Sequence, residues 1–347
     1  MEKLHTLKSP RRRRWHRHPL TMFSLIFWVL GSAGHSEVLV KRPGGSDGTP
    51  TTVFVSVFLL DVDEVNSANQ TFTANVAYDL RWNDPRLAHG EEGTKVFPIG
   101  DVWNPRIQIA NSQKVFASFP EILHVSPVGE VSYQQRVWGN FSQPLDLREF
   151  PFDTQQFRID LVSAGYAPEE LVFVPDPELK SGIGDELSLP DWNITGLKAG
   201  GVVHQPTAAA GALAGFRLTF DADRQIGYYI LKVIMPLILI VAMSWIVFWI
   251  DPKESGTQIS VSVTSMLTLI AYRFMVGGLL PSISYLTRLD VFILVSTQLV
   301  FATLIGVVIT STLAKSDRLQ SARRVDRIAR VAFPAVFLLV LGIAFVF

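Results

Sequence analysis

The sequence predicts two domains of different class: an Ig-like β-sandwich extracellular domain of about ten strands, then an all-α domain of four transmembrane helices. Three observations carry this prediction. Apolar and polar residues alternate in short runs before residue 224, long apolar stretches follow it, and Pro, Gly, Asn and Asp clusters separate the early runs.

Composition narrows the function classes. The chain has 347 residues, 48% of them hydrophobic, and a formal net charge of zero. Its mean hydropathy of +0.27 exceeds what a soluble core requires. A neutral chain carries no global field that would attract nucleic acid. The absence of cysteine excludes disulfides, thiolate metal sites and cysteine nucleophiles. There is no glycine-rich phosphate loop, metal-spaced histidine pair or nucleophile elbow, so no enzyme activity, metal or cofactor is expected.

Residues 1–35 read as a secretory signal peptide. Lys8 and the arginines at 11–14 form a basic block, residues 20–30 are apolar, and Gly31, Ser32, Ala33 and Gly34 supply a small-residue cleavage zone. An uncleaved anchor is the alternative.

Residues 36–225 form the expected sandwich. Between 71 and 82 the apolar residues Phe72, Ala74, Val76, Tyr78, Leu80 and Trp82 fall on one face. Runs at 51–60, 131–141, 157–161 and 216–220 repeat the pattern. Turn clusters such as Asn83, Asp84 and Pro85 divide them.

Residues 226–347 carry four candidate spans, at about 226–250, 256–280, 289–313 and 325–347, each able to cross a hydrocarbon core of about 30 Å. The connection and helix start after the third span hold Lys315, Arg318, Arg323, Arg324, Arg327 and Arg330. The positive-inside rule then places this connection in the cytoplasm and the β-domain outside. The expected location is the cell inner membrane.

The second span differs from the rest. Gln258, Ser260, Ser262, Thr264, Ser265 and Thr268 interrupt it. Steps of three and four place Ser260, Thr264, Leu267, Ala271, Phe274 and Gly278 on one face, polar at the inner end and apolar at Leu267 and Phe274. Periodicity alone leaves two readings: the lining of an ion pore, or a buried helix with ordinary Ser/Thr packing.

Residues 146–160 read Asp-Leu-Arg-Glu-Phe-Pro-Phe-Asp-Thr-Gln-Gln-Phe-Arg-Ile-Asp. This resembles the signature loop of the pentameric ligand-gated ion channels, the Cys-loop receptor superfamily. Gln143 and Phe157 stand where animal members carry cysteines, as in the cysteine-free bacterial branch of proton-gated and amine-gated channels. Further matches follow in family order: Tyr78 to Trp82, Trp103 and Pro105, Asp223 and Arg224, Met266 to Thr268, and Phe333 with Pro334.

The resemblance implies a homopentamer set in membrane lipid that conducts ions, with the six-residue face lining the pore and Leu267 as its central apolar ring. It implies a coupling zone of Asp153, Arg224, the 61–70 loop, Pro281 and Tyr285. The alternative for Asp153 and Arg224 is a surface ion pair of little worth. Glu254 is the expected selectivity residue, favouring cations, although the connection length also suits anion-selective members. Asn111 and Tyr166 are the expected agonist contacts, for protons or a small molecule. Gln70 and Leu269 replace the proton-gated branch's first-loop glutamate and pore-helix histidine. A non-conducting, membrane-anchored binding receptor is the reading from another class.

Overall fold

The computed structural model describes residues 39–44, 48–185, 187–278 and 283–345. The expected signal peptide, Pro281 and residues 346–347 of the expected fourth span lie outside them.

Among the described residues twelve strands precede four long helices. The strands are β1 (Thr51–Asn66), β2 (Thr71–Asn83), β3 (Lys95–Pro98), β4 (Ile107–Ile109), β5 (Ser112–Ala117), β6 (Ile122–Val125), β7 (Glu130–Ser142), β8 (Thr154–Ser163), β9 (Leu171–Pro175), β10 (Gly182–Ile183), β11 (Trp192–His204) and β12 (Leu213–Arg224). One sheet runs β10-β1-β2-β7-β6-β3, with β5 on β7 and β9 on β1, and the second runs β11-β12-β8-β4. The count exceeds the expected ten because β3, β4, β6 and β10 are two to four residues long. Such pieces are too short to display alternation in the sequence.

Alternation decides which faces meet. Val53, Val55, Val57 and Leu59 of β1 and Phe72, Ala74, Val76 and Leu80 of β2 are buried from one sheet. Phe157, Ile159 and Leu161 of β8 and Phe216, Leu218 and Phe220 of β12 are buried from the other. At the end near the helices the core is aromatic. Phe157 stacks on Phe220 at 5.3 Å and meets the edges of Phe72 and Trp192 at 5.1 and 5.6 Å.

The helices are α1 (Gly227–Trp249), α2 (Ser255–Gly277), α3 (Arg288–Lys315) and α4 (Leu319–Phe345). All four lie in segments long and apolar enough to cross a membrane. A π-helical turn, Ile230–Ile234, precedes Pro236 in α1 and absorbs the donor that proline lacks. The Tyr272 hydroxyl of α2 donates to the nearby Val233 carbonyl and ties these helices together. Helix α4 starts ahead of its apolar run because Ala322, Asp326 and Ala329, at steps of four and three, already pack inward.

Candidate pore helix and coupling interface

Helix α2 divides by face. Gln258, Ser262, Ser265, Leu269, Tyr272 and Val276 are buried, in alternating steps of four and three, and form its back against the other helices. Ser260, Thr264, Leu267, Ala271, Phe274 and Gly278 are all exposed, with Leu267 at 61% and Phe274 at 82%. Both flanks are exposed as well, through Val263 and Ile270 on one side and Thr257 and Met275 on the other. The subunit covers roughly a third of this helix's circumference.

The hydroxyls of α2 bond back along the helix. Thr264 donates to the Ser260 carbonyl and Thr268 to the Thr264 carbonyl, both at 2.8 Å. With its proton so placed, Thr264 turns oxygen lone pairs outward from an exposed position. Glu254 ends the short 3-10 turn Pro252–Glu254 that leads into α2, and its side chain is exposed and caps nothing. Arg273, absent from the sequence reading, is exposed one turn before the outer end of α2. It makes no ion pair among the described residues.

Where the domains meet, Arg224 at the end of β12 holds Asp153. Nε reaches Oδ1 at 2.7 Å and Nη2 reaches Oδ2 at 3.0 Å. The side chains are only 4% and 2% exposed, which overturns the surface-pair reading. The guanidinium sits over Trp192 at 4.1 Å and Phe150 at 4.8 Å. Gln155 donates to the second Asp153 oxygen at 2.7 Å, and Arg224 Nη2 also donates to the Ser67 hydroxyl of the β1–β2 loop at 3.1 Å. The third member of this network is therefore neutral, and the charges balance one to one.

The 145–153 loop also grips the connection from α2 to α3. The Tyr285 hydroxyl accepts from the Leu147 N–H at 2.9 Å and donates to the Leu145 carbonyl at 3.3 Å. The Arg148 guanidinium lies 5.3 Å from its ring centre. The first amides of α3 point into the same loop: Arg288 N–H donates to the Arg148 carbonyl at 3.0 Å and Leu289 N–H to the Phe150 carbonyl at 3.3 Å. Arg288 also pairs with Glu149. Thr287 and Asp290 close a reciprocal capping box that fixes the start of α3. The Thr-x-x-Asp spacing was there to be read in the sequence.

Gln143, which the resemblance sets in the place of a cysteine, clamps the loop through its side-chain amide. Its amide donates to the Gln156 carbonyl at 2.8 Å and accepts from the Arg158 N–H at 2.9 Å, on either side of Phe157. The end of β7 is thereby fastened to β8 by hydrogen bonds.

The two expected agonist contacts are engaged within the chain. Asn111 donates to the Arg158 carbonyl at 2.8 Å and accepts from the Asp160 N–H at 3.1 Å, pinning β8. The Tyr166 hydroxyl accepts from Trp103 Nε1 at 2.9 Å.

Two family models match the chain. The neurotransmitter-gated ion-channel ligand binding domain matches residues 39–200, and the neurotransmitter-gated ion-channel transmembrane region matches residues 233–318. The chain belongs to the neurotransmitter-gated ion-channel family, as a multi-pass membrane protein with a β-sandwich ahead of its helices. It is similar to the proton-gated ion channel of Gloeobacter violaceus, with 29% identity over 307 residues, 87% of this chain and 84% of that one. It is also similar to the gamma-aminobutyric acid receptor subunit beta-4 of Gallus gallus, with 28% identity over 267 residues, 74% of this chain. The match covers 54% of the avian subunit, so the chain spans about half the length of that relative.

Proposed function

We propose that five copies of the chain surround a central axis in the inner membrane and form a gated ion channel. The β-domains lie on the outer side, where protons or a small molecule supply the stimulus. The exposed stripe on α2 carries this reading. In a ring, the two bare flanks of α2 pack against neighbouring copies. The stripe of Ser260, Thr264, Leu267, Ala271, Phe274 and Gly278 then faces the axis, while α1, α3 and α4 face lipid. Leu267 and Phe274 form apolar rings that close the pore by dewetting, and the hydroxyl rings below them replace part of an ion's hydration. Asp153, Arg224, Tyr285 and Pro281 transmit movement of the β-domain to the outer end of α2.

Cation preference is supported by the exposed Glu254 at the inner mouth and by the outward lone pairs of Thr264. A second reading, anion preference, is favoured by Arg273, a cation near the outer end of α2 that makes no ion pair among the described residues.

The test is expression in oocytes with steps of external pH, application of small amines, and reversal potentials in asymmetric salt. No current under any condition, with a non-pentameric mass in detergent, rejects the channel and leaves the anchored receptor. Leu267→Ser should wet the gate and ease opening; an unchanged response removes Leu267 from it. Glu254→Gln should weaken cation preference, whereas a reversal potential that moves only in Arg273→Gln selects the anion reading.

A further inference from the structure

The inner end of the helical domain buries an acid that the proposed pore does not use. Asp326 lies about two turns inside the start of α4 and is fully buried. Neither of its carboxyl oxygens has a hydrogen-bond partner among the described residues. Its neighbour on α2 is Gln258, which is also fully buried.

The Gln258 amide has a determined orientation. Its nitrogen donates to the Ile250 carbonyl at 3.0 Å and the Val247 carbonyl at 3.4 Å. Both partners only accept, so turning the amide over would set its oxygen against two carbonyl oxygens. Gln258 Oε1 is thus left without a donor among the described residues. The two Asp326 oxygens and Gln258 Oε1 are three buried acceptors without a hydrogen-bond partner among the described residues.

The surrounding charges do not supply one. Arg330, a turn further along α4, gives Nε to the Phe248 carbonyl at 2.9 Å and lies over Trp249. Asp251, the other charged group acting on Asp326, is an acid paired with Arg323 at 2.8 Å. Lys253 and Glu254 before α2, and Lys315 at the end of α3, are exposed to solvent. Helix α1 brings no titratable side chain to its inner turns, which read Trp245 to Trp249. An ionised Asp326 would be fully buried beside a second acid with no hydrogen bond to either oxygen among the described residues, and the Gln258 amide and Arg330, which favour the charge, do not supply one. One proton satisfies the site, because a protonated carboxyl donates its O–H to Gln258 Oε1.

We propose that Asp326 and Gln258 form a proton-binding site at the cytoplasmic end of the helical domain, closed by a carboxylic acid–amide hydrogen bond that ties α4 to α2. Loss of the proton releases the tie and places a negative charge behind α2, so cytoplasmic pH biases opening. The effect on opening rests on the channel reading; the proton site itself does not.

Infrared difference spectroscopy of the full-length protein in lipid, titrated from acid to alkaline pH, tests the site. At neutral pH a protonated carboxyl C=O band should be present in the wild type and missing in Asp326→Asn. It should move to higher wavenumber in Gln258→Leu, where the acceptor is gone. A wild type without that band overturns the proposal, as does a melting temperature that rises with sodium in place of the band, which would mark a cation site. In inside-out patches, stepping cytoplasmic pH should change the wild-type current several-fold. Asp326→Asn, whose amide N–H keeps the bond to Gln258, should be nearly insensitive. Equal responses overturn the effect on opening. If no variant conducts, the channel reading fails and the infrared band alone decides the proton site.

Discussion

Arg224 and Asp153 form a two-pronged ion pair sealed from water beneath Trp192 and Phe150, at the seam between the sandwich and α1. Both carboxylate oxygens and two of the three guanidinium nitrogens have partners, with Gln155 and Ser67 completing the set. Removing one member leaves a buried charge without its counterion, which costs about 3–5 kcal/mol in such settings. Asp153→Ala should therefore lower the unfolding midpoint in detergent sharply. The double variant Asp153→Leu with Arg224→Met should recover much of the loss. An Asp153→Ala midpoint equal to wild type would refute the pair's structural weight.

Tyr285→Phe removes one hydroxyl that bridges two backbone groups of the 145–153 loop. The net value of such bonds is about 1 kcal/mol each. The variant should assemble normally and need roughly tenfold more stimulus for half-maximal opening. Dose–response curves beside surface expression levels check this, and a curve superimposed on wild type detaches Tyr285 from coupling.

The chain has no cysteine, so single thiols can be introduced without background. Cysteines at 260, 264, 267, 271 and 274 should react with water-soluble thiol reagents in the open state and block current. Cysteines at 262, 265 and 269, on the buried back of α2, should not. Block that spreads evenly around the helix would remove the pore face.

Gln143→Ala strips the loop clamp and leaves the Gln156 carbonyl and Arg158 N–H without partners. Each unsatisfied buried group costs about 1–3 kcal/mol. Hydrogen exchange should accelerate in the 143–158 segment while the rest of the sandwich keeps its protection. Uniform acceleration would mean that the clamp supports the whole domain.

On the sandwich, burial raises the Asp176 carboxyl, but the Arg81 guanidinium and the N–H groups of Leu179 and Glu178 outweigh it and hold it below its ordinary 3.8. Arg81 meets Asp176 through two contacts of 2.7 Å. A lowered native value means that the unfolded chain binds the proton first. The pair's contribution is present above 3.8 and is lost as pH falls through the native value. Asp79 nearby is raised, chiefly by burial, and opposes this with the reverse sign. Arg81→Gln should lower the melting midpoint at neutral pH, and its gap to wild type should close under acid. A gap that persists there assigns the loss to packing.

The architecture was legible because alternation and long apolar runs are properties of the chain itself. Phe72 to Trp82 on one face, and Ser260 to Gly278 on another, follow from periodicity alone. The short strands were illegible, since two to four residues carry no period. The Ser67 and Gln155 partners of the buried pair could not be read either, because residues so far apart in sequence are brought together only by the packed loops. Asp326 could have been noticed as an acid opening an apolar span, but its burial depends on the start of α4 turning inward at Ala322 and Ala329.

Two of the links between the 145–153 loop and α3 run from main-chain N–H groups to main-chain carbonyls, Arg288 to Arg148 and Leu289 to Phe150. Replacing side chains leaves such links intact, so an alanine scan passes over them. Swapping a single amide for an ester at Arg288 or Leu289 deletes one of them and keeps every side chain. It also follows that this joint tolerates drift in residue identity, provided the spacing between the loop and the first turn of α3 is kept. Insertions and deletions, more than substitutions, are the changes to which it is vulnerable.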